Sequence, residues 1–441
     1  MNNRPVRIAL VAALGGFLFG FETSVISGAE QTIQQLWSLD SFWLGFTVAS
    51  SLIGTVLGAL IIGRPAQRYG RRKVLFAIAI FYFLSAIGCA ITTVWEGFVL
   101  FRFFGGIAVG ASSVVGPMYI SEISPALVRG RLAAMFQLNI VGGILIAYLT
   151  NYLLASMGGD GSWRYMLGAM AVPAAVFYGL LWSIPESPRW LAGKGRTADA
   201  AAVFSRLGEA DAARMANEVA AAAKSETVAE GLFNGKYNKP IAYAMLLAMF
   251  NQLSGINAIL YYAPRIFEMA GFERADAFQQ SVYIGLANFL FTVLATLVID
   301  RFGRKRLLLI GALGMVVFLV LTAAAFSRPD VANPYVLVYL VGFIAFFAFS
   351  QGAVIWVFIA EIFPNRVRAQ GSSLGSSTHW IMAAVISWLF PIVVESSPQG
   401  GFYAFVFYAV MMLLSFLFIW RVMPETKGRS LEEIQQELGI K

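Results

Sequence analysis

A chain of 441 residues that is 59% hydrophobic and 13% charged lies outside the range of soluble domains, which run about 45–50% apolar and about 25% charged. That composition excludes a disordered chain and argues against a nucleic-acid binder, despite a net charge of +8. The single cysteine, Cys89, and single histidine, His379, exclude a disulfide framework and cysteine or multi-histidine metal sites, so neither metal nor cofactor is expected.

A membrane-crossing helix needs about 20 apolar residues. Windows of that kind lie in chain order at roughly 8–28, 42–63, 74–94, 97–120, 132–156, 163–184, 241–263, 277–299, 307–326, 335–362, 371–394 and 401–422. Each must be helical, because lipid offers no partner to free backbone groups. The expected fold is therefore all-α: a polytopic membrane protein with twelve spans. Residues 1–28 lack a small-residue cleavage site and carry Glu22, so a membrane span rather than a cleaved signal peptide is expected there.

Basic residues gather in cytoplasmic segments. With the N-terminus inside, 27 of the 32 lysines and arginines fall in inner segments, and Arg265, Arg274 and Arg328 in outer loops. The bias predicts both termini in the cytoplasm. It also accounts for the net positive charge by contact with anionic lipid.

The chain reads as duplicated. Gln67-Arg68-Tyr69-Gly70-Arg71-Arg72-Lys73 matches Asp300-Arg301-Phe302-Gly303-Arg304-Lys305-Arg306 at an offset of 233. Ser121-Glu122-Ile123-Ser124-Pro125 matches Ala360-Glu361-Ile362-Phe363-Pro364 at 239, and Arg129/Arg368 and Pro185-Glu186-Ser187/Pro424-Glu425-Thr426 keep that offset. The expected organisation is a six-helix bundle over 1–184, a polar linker with short surface helices over 185–240, a second bundle over 241–422 and a cytoplasmic tail over 423–441. Parallel repeats of this kind are a transporter arrangement, with the site between the halves.

Two charges stand apart from the loops. Glu22 is the one acidic residue well inside the first window, and Arg102 the one basic residue well inside the fourth. Their depths below the outer ends are roughly 9 Å and 8 Å at 1.5 Å per residue, so the two can meet. Burial raises a carboxyl pKa and a guanidinium lowers it. Separating the pair would release Glu22 to take a proton.

Several motifs resemble the sugar porter family of the major facilitator superfamily over nearly the whole chain. They are Phe19 to Gly28, Gly70-Arg71-Arg72, Arg102 with Gly105, Gly106 and Gly110, Pro185-Glu186-Ser187-Pro188-Arg189-Trp190-Leu191, Gln252-Leu253-Ser254-Gly255-Ile256-Asn257 with Tyr261-Tyr262, and Pro424-Glu425-Thr426-Lys427-Gly428. The resemblance implies a monosaccharide substrate, of the glucose, xylose or galactose class, and the two-bundle fold of that superfamily. It maps sugar contacts onto Phe19, Gln137, Gln252, Asn257, Asn288, Trp356 and Trp380. Asn251 stands where a second glutamine is usual, and His379 where an amide is usual. Amides match sugar hydroxyls, and aromatic rings match the C–H faces. Tyr261 and Tyr262 take gate-side positions. Arg68, Arg71, Arg72, Glu122, Arg129, Glu186, Asp300, Arg301, Arg304, Glu361, Arg368 and Glu425 match charge clusters that hold the inner ends together when the site faces out.

At the position of Glu22 the resemblance puts Asp in proton-coupled members and Asn in many facilitative ones. Proton symport is the expected mechanism, with Glu22 and Arg102 as the coupling pair. Ile144 stands where some symporters carry glutamine, and Gln67 where an acid is usual; both lean toward a facilitative uniporter. The tenth window lacks the family's prolines, so a different flexure is expected there. A sensor that does not transport is disfavoured by the short tail. An enzyme is disfavoured by the lack of a nucleophile elbow or phosphate loop, and an ATP-driven pump by the lack of a Gly-x-x-x-x-Gly-Lys-[Ser/Thr] motif. A bacterial inner membrane and a monomer are expected.

Overall fold

The computed structural model describes residues 4–125, 128–159, 161–225, 231–328, 331–364, 366–425, 427 and 433. Most of the 423–441 tail, including Thr426 and Gly428, lies outside the described residues. Among those described, every regular element is a helix. Twelve candidate spans are present: span 1 (Arg4–Gly28), span 2 (Ser41–Ile61), span 3 (Arg71–Ile91), span 4 (Trp95–Ile123), span 5 (Gly130–Ser156), span 6 (Ser162–Ser183), span 7 (Asn238–Tyr261), span 8 (Arg274–Val298), span 9 (Arg304–Phe326), span 10 (Val336–Ile359), span 11 (Arg368–Glu395) and span 12 (Gly400–Val422). They follow the apolar windows to within a few residues. Outward-facing residues stay apolar, as Leu297 at 68% and Val172 at 67% exposure illustrate. Such a surface suits hydrocarbon rather than water.

The described residues divide into two compact units. One comprises Met1–Thr23, Ile53–Ile144 and Arg164–Ala229; the other Ser24–Leu52, Leu145–Trp163 and Glu230–Lys441. In the first unit, small residues let backbones approach. Gly20 lies against the Ile140 carbonyl and Gly143 against the Phe17 carbonyl, closing spans 1 and 5 on each other; Gly110 does the same at Thr55 of span 2. This is the small-residue packing that lipid-embedded helices rely on. The linker region carries helices Pro188–Gly193, Thr197–Leu207 and Ala212–Ser225, as its alanine-rich composition predicts.

The repeat has a structural counterpart at the starts of spans 3 and 9. Gly70 (φ +97°) and Gly303 (φ +87°) immediately precede the two helices. In the first unit the Glu186 carboxylate accepts from the backbone N–H of Arg71 (2.9 Å) and Arg72 (3.1 Å). In the second, Glu425 accepts from Arg304 (3.0 Å) and Lys305 (3.1 Å). A helix start offers free N–H groups and a positive dipole end, which a carboxylate satisfies. Side chains at either glycine would meet the capping carboxylate as well as the positive φ.

Two spans are interrupted. Span 7 breaks at Ser254–Gly255, between Asn238–Leu253 and Ile256–Tyr261, with Gly255 at φ +83°. A Cβ at Gly255 would also lie 2.8 Å from Tyr408 Cγ. Gly255→Ala is expected to cost about 2–4 kcal/mol, from the left-handed backbone and the overpacked ring. The readout is a lowered melting temperature of the purified protein in detergent. Span 10 breaks at Ser350 (φ −119°, ψ −88°), between Val336–Phe349 and Gln351–Glu361. The break needs no proline: the Ser350 hydroxyl donates to the Phe346 carbonyl at 2.6 Å, and Ser350 packs over Gly311 of span 9.

Candidate functional site

The first unit contains the buried ion pair. Glu22 of span 1 and Arg102 of span 4 are each 2% exposed. Arg102 Nη1 donates to Glu22 Oε1 at 2.5 Å and to the Glu22 carbonyl at 3.3 Å. Gly105, one turn along span 4, makes room: a Cβ there would lie 2.8 Å from Glu22 Oε1. The sequence reading brought the two charges together from depth alone, and the structure places them in contact. Around them lie buried polar atoms with no hydrogen-bond partner among the described residues: Arg102 Nε, Tyr82 Oη, Ser85 Oγ and Ser112 Oγ. A charge-bearing site ringed by polar atoms can stabilise either protonation state of a carboxyl, which a purely apolar shell cannot.

The second unit contains a linked set of amides and rings. The break in span 7 turns Asn257 back toward the preceding helix, and its Nδ2 donates to Gln252 Oε1 at 3.0 Å. Gln252 Nε2 donates to Asn251 Oδ1 at 3.2 Å and lies 2.9 Å from His379 Nε2, where a neutral ring accepts. His379 sits beside Trp356, with ring centroids 4.8 Å apart, and edge-on to Trp380 at 4.9 Å. Spans 7, 10 and 11 thus bring six of the predicted sugar contacts into one cluster: Asn251, Gln252, Asn257, Trp356, His379 and Trp380. Asn288 is buried on span 8 of the same unit, whereas buried Phe19 and half-buried Gln137 belong to the first unit. Of the gate-side tyrosines, Tyr262 donates to the Ser387 carbonyl at 3.0 Å, and Tyr261 is buried.

Each unit also carries a charge cluster at the linker-side ends of its helices. Arg71 grips Glu122 bidentately, Nε to Oε2 at 2.9 Å and Nη2 to Oε1 at 2.8 Å. Arg72 donates to the Leu181 and Trp182 carbonyls at 3.0 Å and 3.2 Å. In the second unit, Arg304 meets Glu361 at 3.2 Å, and Arg368 Nε donates to the Phe363 carbonyl at 3.3 Å. Glu186 and Glu425 serve here as backbone caps, a role that charge matching alone did not suggest. Exposed Arg68 lies over the Tyr69 ring. The side chains of Arg129, Asp300 and Arg301 lie outside the described residues.

A further cluster was not anticipated. Arg265, which follows span 7, meets Glu30, which follows span 1, through Nε–Oε1 at 3.0 Å and Nη2–Oε2 at 2.7 Å. It also donates to Glu395 Oε1 at 2.6 Å and to Gln34. Burial pushes the Glu30 carboxyl above its ordinary value, against the downward pull of Arg265. Burial works against the charge on Arg265, and Glu30 and Glu395 outweigh it and raise its pKa. The sequence held one signal, an acidic residue and an isolated arginine just past the first spans of the two repeats.

Twelve spans built from a parallel repeat, with a charge pair inside the apolar mass and an amide–tryptophan cluster on broken helices, define a polytopic membrane transporter. A sequence model described as "Sugar (and other) transporter" matches residues 8–438. The chain is 36% identical over 439 residues to an arabinose-proton symporter of Bacillus subtilis, covering 98% of this chain and 94% of that protein. It is 35% identical over 476 residues to a D-xylose-proton symporter of Escherichia coli, covering 97% and 94%. Among solved structures it matches the inward-open form of the E. coli xylose transporter XylE with a TM-score of 0.88 at 34% identity, covering 98% and 99%. The chain belongs to the sugar transporter family of the major facilitator superfamily.

Proposed function

We propose that this protein carries a monosaccharide of the glucose, xylose or galactose class across a bacterial inner membrane together with a proton. The six-span halves, 1–184 and 241–422, alternate access around a site between them, joined by the 185–240 linker; both termini are cytoplasmic and the unit is a monomer. The observation that carries the proton is the Glu22–Arg102 pair, two charges 2.5 Å apart and almost wholly buried inside spans. Such charges are costly in a membrane and are kept where they do work. The similarity to the named arabinose- and xylose-proton symporters supports the same reading.

The sugar is held by Phe19, Gln137, Asn251, Gln252, Asn257, Asn288, Trp356, His379 and Trp380. Gln252 is the node, because its carbonyl and its amide are both engaged. A sugar hydroxyl that replaced either partner would keep the node satisfied, so binding exchanges hydrogen bonds instead of breaking them. The linker-side clusters of Arg71, Glu122, Arg304 and Glu361 set the inner gate, with Tyr261 and Tyr262 at the opposite one.

The test is uptake of a panel of labelled pentoses and hexoses into liposomes containing the purified protein, with and without an inward proton gradient. At least one monosaccharide is expected to accumulate above its external concentration, and only with the gradient. Uptake that merely equilibrates would favour the facilitative reading, to which Ile144 and Gln67 point. No uptake of any sugar would contradict both.

A further inference from the structure

We propose that Arg265, clamped between Glu30 and Glu395, is an outer charge lock that holds the transporter closed on the side opposite the linker. The proposal rests on the alternating-access reading and on neither the sugar nor the proton.

The three residues come from different parts of the duplication. Glu30 lies on the short helix Glu30–Leu36 after span 1, Arg265 on Ala263–Met269 after span 7, and Glu395 is the last residue of span 11. Spans 1 and 7 are the first helices of their halves, so the cluster ties a first-half element to two second-half elements. Counting crossings from the linker places all three at the opposite membrane face. Gln34 reinforces the tie, accepting from Arg265 and donating to Glu395 Oε1 at 3.0 Å. Arg274 of span 8 adds a second link from its Nη2 to Thr32 Oγ1 at 3.0 Å.

The chemistry suits a contact that must open. A bidentate guanidinium–carboxylate pair is strong and directional. Buried ion pairs, however, add little stability over apolar packing, because their desolvation cancels much of the attraction. When the elements part, water repays that desolvation. An apolar patch of the same size would instead expose its surface on every opening. Glu30 is 1% exposed and Arg265 9%, so the pair is deep enough to hold. Glu395 lies at the surface, where water can reach the lock. Glu268 adds a further negative charge beside Glu30, so two carboxylates compete for one guanidinium and a third stands close. That surplus keeps the lock breakable. A static tie would have no use for it.

The test is a distance measurement by double electron–electron resonance in nanodiscs, without sugar and without a proton gradient. Spin labels at Leu36→Cys and Val331→Cys, both exposed, report the first-half helix against the second-half loop, in a Cys89→Ala background. Arg265→Gln is expected to raise the ratio of long to short distances on the order of tenfold. That is the change produced by losing one charge-assisted contact of about 1.4 kcal/mol from one state only. Glu395→Gln, which leaves the Glu30 pair intact, is expected to move it by a smaller factor and carries the test should Arg265→Gln fail to reach the membrane. An unchanged distance distribution in a folded variant, with only a lowered melting temperature, would overturn the lock and leave a static structural pair. Failure of sugar-driven proton movement in the wild type would not alter either outcome.

Discussion

Glu22→Gln is expected to abolish uphill accumulation while leaving sugar exchange intact. A membrane potential does about 2.3 kcal/mol of work on one charge per 100 mV, and each 1.4 kcal/mol is tenfold in a concentration ratio. One proton carried per sugar therefore supports roughly 50-fold accumulation at 100 mV. Glutamine keeps an oxygen that can accept from Arg102 Nη1, now at 2.5 Å from Glu22 Oε1, but it cannot titrate. The accumulation ratio is expected to fall to about one, and counterflow of labelled against unlabelled sugar to persist, since the amide–tryptophan cluster is untouched. Removing one member of a buried pair leaves the other uncompensated, at a cost of several kcal/mol, so reduced expression is expected too. Transport is therefore compared per molecule of folded protein. Uphill accumulation by Glu22→Gln would remove Glu22 from the coupling role.

Gln252→Ala and Trp356→Ala are each expected to reduce sugar binding by about 100-fold or more. Gln252 accepts from Asn257 and bonds to Asn251 and His379. Truncation leaves those groups without their partner, and each buried orphan costs about 1–3 kcal/mol. Trp356 is half-buried against the core of the second unit and faces His379. Its ring supplies the flat apolar surface that a sugar C–H face requires, and an alanine there leaves a cavity worth about 3–5 kcal/mol. Trp356→Phe keeps part of that surface and is expected to bind with intermediate affinity. Isothermal titration or scintillation proximity binding reads both series. Unchanged affinity in both alanine variants would take the sugar away from this cluster.

The spans were legible because a membrane leaves the chain little choice. Long apolar runs must be helical, and every window became a helix with its bounds moved by a few residues. The repeat was legible because its glycines and acids recur at fixed offsets, and the structure shows what they share: a positive-φ glycine followed by a helix start that a distant carboxylate caps. Which donor each carboxylate would choose was not legible, since charge matching offers arginines and the backbone N–H groups are silent in sequence. Glu22 and Arg102 could be paired by depth because nothing else charged lay near them. Glu30, Arg265 and Glu395 could not. They are 235 and 130 residues apart and sit at span ends, where charges are ordinary. The break at Ser350 was hidden as well, because a serine that bonds back to its own helix leaves no proline or glycine mark at that position.

The most direct test of sugar:proton coupling is the pH of the medium outside de-energised cells, or right-side-out liposomes, when substrate sugar is added. Coupled entry predicts an immediate alkalinisation with wild-type protein, abolished by a protonophore and absent with Glu22→Gln. Sugar entry at a normal rate with no change of external pH would contradict it.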